Sequence, residues 1–203
     1  MDKNESNKLN KSKKQKRDIY LNSAISVFSE KGFNDARVQD ITKRAGTSVG
    51  NFYRYFESKD EIFILLMEEF AKIITEKFVE LNEKYEIPPL DELKALFKGY
   101  IHMFEEKEKI AHIYIVQMGG INKKFELMKK KYQNDFVDEV EKLMDRLVKL
   151  KFIRKQNPRI TAQIWVSTLM QAYQWWIQSG KKEDLDEVID EVLNFLVKGT
   201  ITK

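Results

Sequence analysis

The chain has no cysteine among its 203 residues, which excludes disulfides, a thiolate nucleophile and cysteine-ligated metals. Three prolines and eight glycines are too few for a turn-rich β protein. The two histidines, His102 and His112, are ten apart with no neighbouring carboxylate pattern of metal-ligand type, so no metal site is expected. No apolar run approaches the ~20 residues of a bilayer span, and the N-terminus lacks the apolar core of a secretory signal. A cytoplasmic location with no membrane partner is the expectation. A Gly-rich phosphate loop, a His-based metal motif and a Ser/His/Asp arrangement are also missing. No catalytic residue and no cofactor is expected.

What the chain does have is apolar residues, 42% of the total, enough to build a core and to exclude global disorder. They recur at helical spacing nearly throughout, so the fold class is all-α. Charge is unevenly placed. Residues 1–60 hold thirteen basic against eight acidic residues, an excess of five, while the whole chain has a formal charge of +4. The positive excess thus lies in the first third, where phosphate neutralisation would use it. Residues 1–17, MDKNESNKLNKSKKQKR, carry seven basic and two acidic residues. They read as a disordered basic arm, residues 1–13, running into a first helix. It serves either as a solubilising tail or as an arm on a DNA backbone or minor groove.

Residues 38–59, VQDITKRAGTSVGNFYRYFESK, read as two short helices around a glycine turn and the start of a third. Val38, Ile41 and Ala45 lie on one side of the first. Gly46 supplies the tight turn, and Thr47 or Ser48 caps the next helix. Such a pair matches the DNA-binding helix-turn-helix. At roughly 100° per residue, Phe52 and Phe56 of the second helix face inward. Arg54 then stands opposite them, Gly50 and Asn51 lie on the outward face, and Tyr53 and Tyr55 flank it. Arg and Asn suit guanine and adenine edges in the major groove, Gly50 permits close approach, and the tyrosine hydroxyls reach phosphate oxygens. The alternative is that Arg54 and Asn51 are solvated surface and the tyrosines cover core edges.

The run GFNDARVQDITKRAGTSVGNFYRYFESKDEIF resembles the N-terminal domain of the tetracycline-repressor (TetR) family of bacterial regulators. The resemblance covers about residues 14–67 and rests on Phe28, Gly32-Phe33, Ile41, Ala45-Gly46, the Phe52-Tyr53-x-x-Phe56 pattern and Lys59. It implies phosphate contacts from Tyr53, Tyr55 and Lys59, and a base-facing set of Val49, Gly50, Asn51 and Arg54, with Thr47 and Ser48 at the entry to the reading helix. Arg37 and Gln39 would sit over the backbone or a groove edge. Many members have Thr where this chain has Arg37 and Val38, which removes a cap and leaves Asp35 as its substitute.

The expected organisation is a three-helix head over residues 14–60 and a larger effector-binding and dimerisation domain over 61–203, with about nine helices in all. The first helix, 14–31, is closed by Gly32 as a left-handed residue. A Ser58-x-x-Glu61 capping box opens a long helix through Phe63, Leu66, Phe70, Ile74, Phe78 and Leu81 that links head to body. Pro88-Pro89 breaks the chain. Helices then follow over about 90–105, 110–118, 122–150, from Pro158 to before Gly180, and 185–197.

The helix after Pro158 is apolar on more than one side, and the last has a broad apolar face. Burial on both sides calls for a partner subunit, so Leu169, Tyr173, Trp176, Ile177, Val188, Val192 and Phe195 are expected in a four-helix homodimer interface. Burial wholly within one subunit is the alternative. Phe97, Tyr100, Phe104, Tyr114, Met118, Tyr132, Phe136 and Trp165 either line a cavity for a small apolar or aromatic effector, such as an acyl chain, or form ordinary core. The expected function is a DNA-binding regulator, a repressor released from a palindromic, inverted-repeat operator in double-stranded DNA by that effector. A TetR-like activator, or a module acting mainly through a protein partner, is the alternative.

Overall fold

Helix α1 runs from Lys3 to Asp35, beginning well before residue 14. Residues 3–31 contain neither Gly nor Pro and are rich in Lys, Ser and Asn, so nothing breaks the helix, and the expected unstructured arm continues it. In this computed structural model residues 3–83 and 90–200 are described, with side chains for 13–80, 82–83 and 90–200. Gly32 ends the regular part of α1 with φ 77° and ψ 161°. The φ is positive as expected, but the ψ is extended rather than left-handed helical, a region open essentially to glycine alone.

Helix α2 (Val38–Arg44) is held at its start by Asp40, whose carboxylate accepts the Arg37 backbone N–H at 2.9 Å. Asp40 thereby satisfies the amide of the N-cap residue Arg37, the reciprocal half of a capping box, while no side chain at the cap itself accepts a first-turn amide. The Asp40 carboxylate also accepts from Lys31 at 2.7 Å, and the lysine, followed by the Arg37 amide, holds its pKa below the ordinary range. Arg44 grips Glu30 of α1 through two bonds of 2.6 Å. Gly46 turns the chain at φ 65°. The short helix α3 (Val49–Phe52) starts where Ser48 Oγ accepts the Asn51 N–H at 3.2 Å. Tyr20, Phe28, Ile41, Phe52, Phe56 and Phe63 form the head's sealed centre.

Helix α4 (Lys59–Glu83) is capped by Ser58 Oγ on the Glu61 N–H at 3.1 Å, while the Glu61 carboxylate reaches back to the amide of Glu57 rather than of Ser58. The Pro88-Pro89 break lies outside the described residues. Beyond it come α5 (Leu90–Glu106), α6 (Glu108–His112), a π-helical turn (Ile113–Gln117) and α7 (Met118–Ile121). The last three run on as one rod. Asn122 caps α8 (Lys123–Lys149) through the Phe125 amide at 3.0 Å. Asn157 caps α9 (Pro158–Gln178) through the Ile160 amide at 3.0 Å, with Pro158 in the first turn where its missing N–H costs nothing. Helix α10 (Leu185–Thr200) closes the body against α9 and α5. No strand occurs among the described residues, and none of their helices is long and apolar enough to cross a membrane.

Candidate nucleic-acid interface

The turn after α3 carries the outward chemistry. Phe52 and Phe56 are sealed inside the head, and each presents its ring to Tyr20 of α1, at 5.6 and 6.0 Å. With those two fixed inward, Arg54 projects to solvent and Tyr53 is 55% exposed. Gly50 is exposed as well, and nothing lies within 4 Å of a Cβ built on it. The head's own packing therefore does not require glycine there, which leaves room for a close external approach. Val49 is half-buried, while Ser48, Arg37 and Gln39 are exposed. The Thr47 hydroxyl is buried without a hydrogen-bond partner among the described residues.

Two expected contacts point the other way. Asn51 is half-buried, and its amide Nδ2 donates to the Tyr20 hydroxyl at 2.9 Å. It ties α3 to α1 instead of facing outward, because Tyr20 stands beside it on a helix that a wheel drawn for one segment cannot see. Lys59 is also turned inward. Its ammonium donates to the carbonyls of Phe33 (2.6 Å), Ala36 (2.8 Å) and, at longer range, Asn34 (3.4 Å). It also sits 4.2 Å from the centre of the Phe33 ring. With two short bonds and one long contact to these carbonyls, Lys59 clamps the α1–α2 junction to the start of α4. Burial holds its pKa below the usual lysine range.

Three further cations join the outward face. Lys13, Lys14 and Arg17 lie on one side of α1 and line a shared cleft with Arg54 and Tyr55. Lys14 and Arg17 lie within the expected first helix and Lys13 just before it, and their spacing of three and four residues from Arg17 is a readable helical signal, though none of the three is in the expected contact set. Tyr55 is half-buried, its ring 5.5 Å from that of Tyr20, so it combines core-edge packing with a place on the basic cleft. One exposed guanidinium beside an open glycine, backed by three cations on the neighbouring helix, has the chemistry of a base reader flanked by phosphate contacts.

The family description for bacterial regulatory proteins, tetR family, matches residues 21–66, and that for the tetracyclin repressor-like C-terminal domain matches residues 86–200. The chain belongs to the TetR family. It is accordingly a DNA-binding transcriptional regulator with a helix-turn-helix head. It is 22% identical over 194 residues to the fatty acid metabolism regulator protein of Bacillus subtilis, covering 94% of this chain and all of that one. Among solved structures, Bacillus subtilis FadR in complex with stearoyl-CoA aligns with a TM-score of 0.80 at 20% identity, over 89% of this chain and 97% of that one. The SmeT–triclosan complex aligns with a TM-score of 0.81 at 20% identity, over 93% of both chains. SmeT is the repressor of a Stenotrophomonas maltophilia efflux pump.

In the body of this TetR-family chain, all eight expected effector residues are buried. Several touch directly. Tyr100 stacks on Phe136 at 4.2 Å and meets Phe104 edge-on at 5.0 Å, and Phe97 lies 4.9 Å from Trp165. Burial raises the pKa values of Tyr100, Tyr114 and Tyr132, keeping their hydroxyls neutral. These rings are packed together as part of the core.

Three members of the expected interface set are sealed within the subunit. Leu169, Tyr173 and Trp176 are at most 5% exposed within a single subunit. Trp176 Nε1 donates to the Glu183 carbonyl at 2.8 Å, which locks the α9–α10 turn. Ile177, Val188 and Val192 are half-buried against the same core. Phe195 is the member that faces out, at 75% exposure, and it is joined by Ile160, Ile164 and Trp175 on α9. Helix α9 is apolar on two faces, and periodicity alone does not tell which one turns toward α8 and α10.

Proposed function

We propose that the protein is a cytoplasmic, non-enzymatic, homodimeric repressor that holds an inverted-repeat operator and leaves it when a small apolar effector enters the body. The observation that carries this reading is the aromatic continuity along α4. At its head end, Phe63 touches Phe28 and Phe33 at 5.5 and 4.7 Å, and Phe125 of α8 at 4.7 Å. Further along, Phe70 meets Phe104 and Tyr114 at 5.7 and 5.5 Å, and Phe78 meets Phe136 at 5.0 Å. A ligand that parts the body rings must displace α4, and α4 carries the head through the Lys59 clamp.

Two heads related by a two-fold axis fit two half-sites at one separation. An effector that favours another separation weakens DNA binding by its differential affinity for the two states. A hundredfold loss needs about 2.7 kcal/mol of such preference. The exposed apolar residues of α9 and α10 support the dimer. The buried, nearly uncharged ring set supports an apolar effector, as do the relatives solved with stearoyl-CoA and triclosan.

The test uses fluorescence anisotropy with a duplex carrying an inverted repeat from the DNA flanking the coding region. Stearoyl-CoA or triclosan is expected to weaken the complex at least about tenfold. Unchanged affinity across acyl and aromatic probes would overturn the effector reading and leave the DNA-binding head untouched.

A further inference from the structure

Lys129 of α8 is a half-buried cation that the regulator mechanism above does not use. Its side chain lies across Gly119, with Cδ and Nζ 3.6 and 3.8 Å from where a Cβ on that glycine would stand. Its ammonium donates to the carbonyl of Ile115, inside the π-helical turn. Among the described residues no carboxylate pairs with it, and burial alone pushes its pKa below the ordinary lysine range. A desolvated ammonium with one neutral acceptor is electrostatically incomplete.

The lysine borders a pocket of about 170 Å³ between the π-helical turn, α8 and α9. Around it stand the carboxamides of Gln133, Gln171 and Gln174, the hydroxyl of Ser167 and the ring of Tyr114, with no acidic residue in the lining. Every polar side chain there can donate a hydrogen bond. The volume matches roughly six waters at about 30 Å³ each, enough for one compact group and too small for an acyl chain. Helical backbone widened into a π turn is frequent at binding sites.

We propose that this pocket binds a single compact oxyanion, a carboxylate or a phosphate group, held by Lys129 and the surrounding carboxamides. The inference does not rest on the effector being apolar. Met170, also in the lining, accepts at its sulfur from the Tyr100 hydroxyl at 3.9 Å, so the pocket abuts the aromatic core. The anion is therefore placed either as a free ion or as the head of a tailed ligand, and the probes separate the two.

Thermal unfolding of the full chain is followed with inorganic phosphate, with decanoate and with decanol, each against chloride at equal ionic strength. Phosphate, decanoate or both are expected to raise the wild-type midpoint by about 3–6 °C at tenfold over the dissociation constant. A response to phosphate alone assigns a phosphate. A response to decanoate well beyond that to decanol assigns a carboxylate on a tail. Lys129→Met is expected to weaken the responding anion about ten- to a hundredfold, and Lys129→Arg to keep most of the response. Should Lys129→Met not fold, Gln133→Glu places a carboxylate one helical turn from Lys129 and is expected to abolish the response by occupying the cation internally. No response to either anion, a decanoate response matched by decanol with none to phosphate, or an unaltered response in Lys129→Met or Gln133→Glu would overturn the site.

Discussion

Replacing Lys59 with methionine separates two roles that the same residue type plays in DNA-binding heads. Its ammonium holds the Phe33 and Ala36 carbonyls at 2.6 and 2.8 Å and approaches that of Asn34 at 3.4 Å. A hydrogen bond from a charged donor contributes about 1.5–3 kcal/mol, the longest of the three adds little, and partial burial of the charge offsets some of the gain. Lys59→Met is therefore expected to lower the unfolding free energy by about 2–4 kcal/mol, read from urea denaturation with an unchanged slope. Because the ammonium is held by these carbonyls and not by a phosphate, the salt dependence of DNA binding by the folded variant is expected to stay at the wild-type slope. Arg17→Ala serves as the comparison. It leaves stability within about 0.5 kcal/mol and lowers the salt slope by about one. Wild-type stability in Lys59→Met together with a slope reduced by about one would refute the clamp and restore the phosphate contact.

The remaining predictions concern the body. Trp175→Glu combined with Phe195→Glu is expected to shift the protein from dimer to monomer in analytical ultracentrifugation with helicity retained, whereas Leu169→Ala costs about 2–5 kcal/mol of stability through a core cavity. A dimer unaffected by the first variant would remove α9 and α10 from the interface. At the α5–α10 contact, burial disfavours the charged His102 ring, but its bonds to Glu105 (3.1 Å) and Asp186 (3.2 Å) outweigh burial and raise its pKa above 6.5. Lys98 shares Asp186 at 2.7 Å and reaches Asp190 at 2.9 Å. With the folded-state pKa raised, the stabilisation is fully present below the unfolded value and is lost as pH climbs through the folded one. The melting temperature of the wild type should exceed that of His102→Gln by more at about pH 6 than at about pH 8.5. A gap that does not change with pH would exclude the imidazolium as its source.

The helix-turn-helix is legible in the sequence because its determinants are local. Phe52 and Phe56 repeat at one helical turn, Gly46 sits at the reversal, and Ser48 caps the reading helix. The residues that depart from a local reading have partners distant in sequence. Asn51 turns inward only because Tyr20, thirty-one residues earlier, offers a hydroxyl, and Lys59 is engaged by carbonyls at the end of α1. A composition rule for charged segments misplaces the start of α1, because the helical propensity of an unbroken Gly- and Pro-free stretch overrides it. In α9 the apolar residues cover two faces. Choosing Ile164 and Trp175 over Tyr173 and Trp176 for the outside needs the positions of α8 and α10, which only packing supplies.

Sequence discrimination by Arg54 tests whether its guanidinium reads a base. Wild-type protein and Arg54→Ala are titrated, at one stated salt concentration, against an operator duplex, its single-base variants and a scrambled duplex. The wild type should prefer the operator over the scrambled duplex by about a thousandfold or more. Arg54→Ala should lose about 1–3 kcal/mol of that preference, concentrated at one base pair in each half-site. Equal binding of all duplexes by the wild type, or undiminished discrimination in Arg54→Ala, would contradict the assignment of this guanidinium as the base reader.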